Sequence, residues 1–173
     1  MGEVAEIEML SKPDVLGLKQ NLVGKATERL VEELKVVEAS QKNAQSNATH
    51  SESKQESDKD MRATEASYVA RGLAKRVESL QKEVSLLKRF QCQLCERVCL
   101  GALVVVLDDE EQKKSYFVLP AAGGMSFDLE EQTIMTLTPA SPIGRALIGL
   151  EEGEEAQMVR GGKELVLEVA TIL

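Results

Sequence analysis

Two long segments with apolar residues in steps of three and four flank a polar stretch, and this pattern most limits what the chain can fold into. In the first segment Val15, Leu18, Leu22, Ala26, Leu30, Leu34 and Val37 recur at that spacing; in the second, Ala66, Val69, Leu73, Val77, Leu80, Val84 and Leu87. Such spacing lays one apolar stripe along a helix. Two stripes joined by a short turn pack as an antiparallel helical hairpin. Between them, residues 38–68 offer only Ala44, Ala48, Met61 and Ala66 at the would-be core positions, with Gln41 among them. The expected hairpin, residues 12–92, therefore narrows to a slim polar tip near residues 46–60.

Local signals set the expected boundaries. Residues 1–11 read as a mobile tail, Ser11 as an N-cap, and Pro13 as a first-turn residue of helix one. Asn43, Ser46 and Asn47 weaken that helix in the forties, because their side chains compete for backbone hydrogen bonds. Thr49 followed by Glu52 is a capping box, which predicts the turn at Ser46–His50 and a second helix from His50 to Phe90. About 35 residues of helix give an arm of roughly 50 Å. A lone helical pair buries little surface, so its tip is expected to be its least stable part.

From Cys99 onward the periodicity changes. Residues 101–107 (GALVVVL) read as a buried strand, Asp108–Glu111 as an acidic turn, and 115–119 (SYFVL) as a second strand. Residues 120–127 read as a glycine-containing loop, 133–138 (TIMTLT) as a third strand, and Ser141–Gly149 as a short helix with Pro142 in its first turn. Gly161–Gly162 between AQMVR and KELVLEVATIL signals a tight β-hairpin. Leu165, Leu167 and Val169 alternate with Glu164, Val166 and Glu168, as in a strand with one buried face. The expected fold class is α+β, with the helical hairpin followed by a small antiparallel β domain with a short helix, residues 97–173.

Composition excludes several functions. A net charge of −8 argues against free DNA or RNA binding, because phosphate neutralisation needs a basic surface. It points instead to a protein partner with a basic channel or groove. Aromatic residues are 3% with no Trp, which does not suit an aromatic-lined ligand pocket. The longest apolar run, Leu100–Leu107, is far short of a membrane span. The acidic start MGEVAEIEMLSKP lacks the cationic and apolar regions of a signal peptide, and Glu6 breaks the myristoylation pattern. The expected location is the cytoplasm. Cys92, Cys95 and Cys99 invite a metal or redox reading. Against it stand the single histidine, His50, far along the chain, and the fit of a small apolar side chain at Cys99 where the first strand opens.

Glu52, Glu56 and Asp60 are spaced by four and share a helix face, with Asp58 nearby. Like charges at that spacing cost about 0.2–0.5 kcal/mol each, so the cluster favours a cation or a basic wall. The alternative is a solvated face, since Lys54 with Asp58 and Glu56 with Lys59 can pair along the helix.

The run TPASPIGRALIGLEEGEEAQMVRGGKELVLEVATI resembles the C-terminal signature of the bacterial Gre transcript-cleavage factors. The resemblance is carried by Ser141, Pro142, Ile143, Gly144, Arg145, Ala146, Leu147, Ile148 and Gly149, then Gly153, Glu154, Gly161 and Gly162, about a fifth of the chain. It implies an FKBP-like C-terminal domain docking at the rim of the secondary channel of bacterial RNA polymerase. It makes Ser141, Pro142, Ile143 and Arg145 docking candidates, although the same segment can be read simply as a capped helix stopped by Gly149. It further implies a hairpin that enters the channel, where acidic tip residues help hold a second magnesium ion and a water that cleaves backtracked RNA. Carboxylates suit magnesium, and a second metal stabilises both oxygens of an in-line displacement. On this footing the chain is no enzyme and binds no cofactor by itself, and Glu52 is the one candidate ligand to a magnesium shared with the polymerase.

The tip departs from the family pattern. Thr49 stands where those factors carry Asp, Glu52 matches their Glu, Ser53 replaces Asn, and no Tyr follows. The tip candidates are thus Thr49, Glu52, Glu56, Asp58 and Asp60. Two readings follow from the resemblance: stimulation of cleavage, or channel occupancy that inhibits or modulates without cleavage. A third, outside it, is a coiled-coil interaction module for a non-polymerase partner. Prolyl isomerase activity is not expected, since fold does not give function and the domain offers only Tyr116, Phe117 and Phe127 to line a pocket.

Overall fold

The computed structural model describes Ile7 and residues 11–50, 58–129 and 132–173, with side chains left undescribed at 47–50, 58–64, 66, 160 and 163. Two long helices come first, α1 (Lys12–His50) and α2 (Asp58–Arg89). Residues 51–57 link them, a connection that spans at most about 25 Å. A parallel arrangement would have to run back along the 32 residues of α2, about 48 Å. Helices that touch each other, as Glu33 and Arg76 do at 2.5 Å, must therefore be antiparallel.

The turn expected at Ser46–His50 is not there, because α1 continues through it. Asn and Ser each cost a helix only a few tenths of a kcal/mol relative to their neighbours, too little to end one flanked by Gln41, Ala44, Gln45 and Ala48. Thr49 is consequently helical rather than an N-cap, and α2 begins at Asp58 instead of His50. Ile7, in the expected mobile tail, is instead buried at 1% exposure.

The chain divides into two compact units, one of Glu28–Ser85 and one that takes in the chain up to Thr27 and from Leu86 to Leu173. The division differs from the expected break between residues 92 and 97, since the first turns of α1 and the end of α2 fall with the sheet. In the helical unit Leu30, Leu80 and Val84 are buried, while Leu34, Val37, Gln41, Ala44, Leu73 and Val77 are only half-buried. Val69, assigned to the stripe by its spacing, is 56% exposed. Burial thus fades toward the connection, as expected where apolar positions give way to Gln and Ala.

The other unit is built on a six-stranded sheet. Its strands are β1 (Leu103–Asp108), β2 (Lys113–Val118), β3 (Ser126–Leu129), β4 (Gln132–Leu137), β5 (Glu155–Arg160) and β6 (Lys163–Ile172), with α3 (Pro142–Leu147) between β4 and β5. The strand order is β3-β4-β2-β1-β6-β5. The sheet is mixed rather than antiparallel, because β2 and β4 pair in parallel, from Ser115↔Ile134 to Val118↔Leu137. The cause is β3, whose first two residues fall in the loop expected at 120–127 and whose last two lie before the strand expected at 133–138. It takes up one reversal of direction, so the chain returns along β4 in the sense of β2. With four residues and one deeply buried side chain, Phe127, it carries too short an alternation to stand out.

Leu103 to Val106 are all at or below 2% exposure. Side chains alternate across a sheet, so both faces of β1 are covered. One face joins a core of Val104, Val106, Tyr116, Val118, Leu167 and Val169 with Leu147 of α3. The β5–β6 hairpin closes through Gly161 and Gly162, at φ 61° and 80°, between the paired residues Arg160 and Lys163. Two successive left-handed residues match the turn that suits the twist of a hairpin, which is why glycine fills both positions.

Candidate functional site

Three regions carry side chains beyond the needs of packing. The first is α3 with its flanks. Ser141 has extended backbone (φ −67°, ψ 154°), and its Oγ accepts from the Gly144 N–H at 3.0 Å while donating to the Thr138 carbonyl at 2.8 Å. That is an N-cap, followed by Pro142 at the first helical position, where its missing N–H costs nothing. Gly144 must be glycine, because a Cβ there would sit 2.0 Å from the Thr138 carbonyl oxygen. Gly144 and Leu147 face the core. Pro142, Arg145 and Ile148 are exposed and Ile143 is half-buried. Of the docking candidates, Ser141 builds the helix, and Pro142, Arg145 and part of Ile143 present a mixed apolar and cationic surface. Ile148, 39% exposed, extends that surface, although it is not among the docking candidates drawn from the resemblance.

The second region is the tip. Thr49 is the penultimate residue of α1, and Asp58 and Asp60 lie in the first turn of α2, which favours negative charge through the helix dipole. Glu52 and Glu56 lie outside the described residues. Behind the tip the two helices are bridged by Arg76 to Glu33 at 2.5 Å, and Arg76 also approaches Glu83 at 3.7 Å. Gln81 donates to Glu38 at 3.4 Å. Glu33 accepting from the guanidinium pushes the Arg76 pKa further up.

The third region is the linker between α2 and β1. Cys95 and Cys99 are joined as a disulfide, and Cys92 is a free, half-buried thiol. Cys99 does not open a strand; it sits in the turn before β1, which starts at Leu103. Among the described residues no three His, Cys, Asp or Glu side chains gather as a metal site. Lys19 of α1 is fully buried and donates through Nζ to the Gln93 carbonyl at 2.7 Å. Burial lowers its pKa to about 8, against a smaller upward pull from Cys92. Burial likewise pushes the Cys92 thiol up, opposed by Lys19. Sequence reasoning missed Lys19, although it stands in the apolar stripe between Val15 and Leu22, where a lysine is out of pattern.

Residues 93–173 match the family profile described as "Transcription elongation factor, GreA/GreB, C-term". Among solved structures, the Gfh1 protein (GreA factor homolog 1) of Thermus thermophilus is 22% identical over 85% of this chain and 94% of its own, with a TM-score of 0.35. Gfh1 of Thermus aquaticus is 25% identical over 86% of this chain and 94% of its own, at 0.37. A GreA/GreB elongation factor from Nitrosomonas europaea is 16% identical over 54% of this chain and 78% of its own, at 0.35. A search of curated protein sequences gives no match.

Proposed function

We propose, from the match of residues 93–173 to the GreA/GreB C-terminal profile, that the chain is a Gre-like regulator of transcription elongation that acts on bacterial RNA polymerase. The observation that carries the reading is the family match over the whole of the β domain, joined to an antiparallel helical pair whose apolar packing thins toward its connection. In this reading the β domain docks at the rim of the secondary channel through Pro142, Ile143 and Arg145, with Ser141 holding their helix. The helical pair enters the channel and brings its acidic end to the active site. The surface of the chain is acidic, with a net charge of −8, so a basic channel is the kind of partner that attracts it. The chain itself does no chemistry; it alters what the polymerase active site does. Its site of action is the cytoplasm, and no helix among the described residues is long and apolar enough to cross a membrane.

Thr49 favours occupancy of the channel over delivery of a metal. A cleavage factor of this kind brings two carboxylates to a second magnesium ion, and the aligned positions here hold Thr49 and Glu52. One carboxylate is a weaker ligand set for a hard cation. The deciding experiment adds the protein and magnesium to a backtracked polymerase complex and follows RNA length on a gel. Unchanged RNA, with protection against an authentic cleavage factor, is the expected result. Shortened transcripts would move the reading to cleavage stimulation through Glu52, and failure both to trim and to compete would remove the polymerase from consideration.

A further inference from the structure

The linker Phe90–Ala102 does more than connect. Val98, 1% exposed, lies between Cys95 and Cys99. Its N–H donates to the Leu150 carbonyl at 2.8 Å, and its own carbonyl accepts from the Gly149 N–H at 2.8 Å. Beside it Arg97 pairs with Glu151 at 2.6 Å. Gly149 and Leu150 directly follow α3, so this two-bond clamp fixes the end of the helix that carries Pro142, Ile143 and Arg145. Cys95 and Cys99 bracket the clamp. Both are half-buried, within reach of small oxidants and reductants, and both sulfurs lie beside the Leu100 carbonyl oxygen, at 4.0 and 3.4 Å.

We propose that Cys95 and Cys99 form a reversible disulfide that sets how firmly the linker holds the end of α3, and so makes the docking surface responsive to peroxide-type oxidants. The regulatory part rests on the polymerase reading, which puts the chain in a reducing compartment. Disulfides there are characteristically transient and sensing rather than structural. The chemistry balances with a hydroperoxide as oxidant. One thiolate attacks the peroxide oxygen, giving a sulfenic acid and one water (or alcohol). The second thiol displaces the hydroxyl as water and the S–S bond forms, so two thiols lose two electrons and two protons. A dithiol reductant reverses the step by exchange. Cys92 stays outside the couple, because the bridge joins Cys95 to Cys99 and leaves Cys92 a free, half-buried thiol.

Closing a short loop restrains the linker when the pair is oxidised. The Val98 and Gly149 amides should then exchange with solvent more slowly, on the order of tenfold, than in the reduced protein. The test uses the full chain, treated with dithiothreitol or with hydrogen peroxide and then alkylated under denaturing conditions for peptide mass mapping. The expected result is a loss of two alkylatable thiols, Cys95 and Cys99, restored by dithiothreitol, with Cys92→Ser oxidising like the native protein. A bridge to Cys92, no bridge, or equal exchange in the two states overturns the proposal. These readouts need no polymerase. Co-elution of the oxidised and reduced forms with polymerase is then compared: a difference is expected, and equal binding defeats the regulatory part. Binding by neither form defeats the polymerase reading instead, while the thiol couple is still judged by the mass and exchange data.

Discussion

The Nζ of Lys19, with no exposed surface, donates to the Gln93 carbonyl at 2.7 Å and ties α1 to the linker beyond α2. A lysine removed from water holds its proton less well, and its pKa falls to about 8 from 10.5. Between those values the unfolded chain binds more protons at this site than the folded one, so this group makes stability rise with pH from about 8 to 10.5. The gain is bounded at about 3 kcal/mol. Cys92 acts in the opposite sense, since its raised pKa loses stability as pH climbs through the alkaline range. Urea titrations of the native protein and Lys19→Met at pH 7 and pH 10 isolate the lysine. The stability difference between the two proteins is expected to shift in favour of the native protein at pH 10, and an unchanged difference would refute the assignment.

Gly144→Ala is expected to cost about 3 kcal/mol or more, because the added Cβ collides with backbone at the Thr138 carbonyl rather than with a side chain that can turn away. Ser141→Ala should cost about 1 kcal/mol by leaving the Gly144 N–H without its cap. Chemical denaturation of both variants checks the order; a smaller loss for Gly144→Ala than for Ser141→Ala would contradict the packing described.

Arg145→Glu should leave folding within about 0.5 kcal/mol, as is usual for exposed positions. It should nonetheless weaken co-elution with polymerase by at least tenfold. Native-like binding by this variant would take the α3 surface out of the docking interface.

Arg76→Ala should destabilise the protein by no more than about 1 kcal/mol despite its two carboxylate partners, because Arg76 and Glu33 are 46% and 42% exposed and water screens the pair. Leu80→Ala, at a fully buried position on the same helix, should cost about 2–5 kcal/mol. Thermal melts of the two variants side by side test whether packing or charge holds the helical pair.

Simultaneous charge reversal at Glu52, Glu56 and Asp60 should abolish the effect on a backtracked complex while leaving binding intact. Loss of both together would mean that the tip contributes to affinity, and retention of activity would locate the action elsewhere.

Much of this architecture was written locally. Steps of three and four marked both helices, since a helical stripe needs nothing beyond its own period. The Gly161–Gly162 hairpin and the Ser141–Pro142 helix start were legible for the same reason, because turn and cap chemistry belong to the residues that form them. The docking candidates Ser141, Pro142, Ile143 and Arg145 came instead from the resemblance of the Ser141–Gly149 run to the Gre signature. Tertiary structure decided what propensity could not. Whether α1 stopped at Ser46 or ran on to His50 depended on a few tenths of a kcal/mol per residue. The parallel β2–β4 pairing followed from a four-residue strand that carries little pattern of its own. The burial of Lys19 against Gln93 and the clamp of Val98 on Gly149 and Leu150 depended on contacts between segments far apart in sequence. Periodicity reports which face of an element is apolar; only packing decides what that face meets.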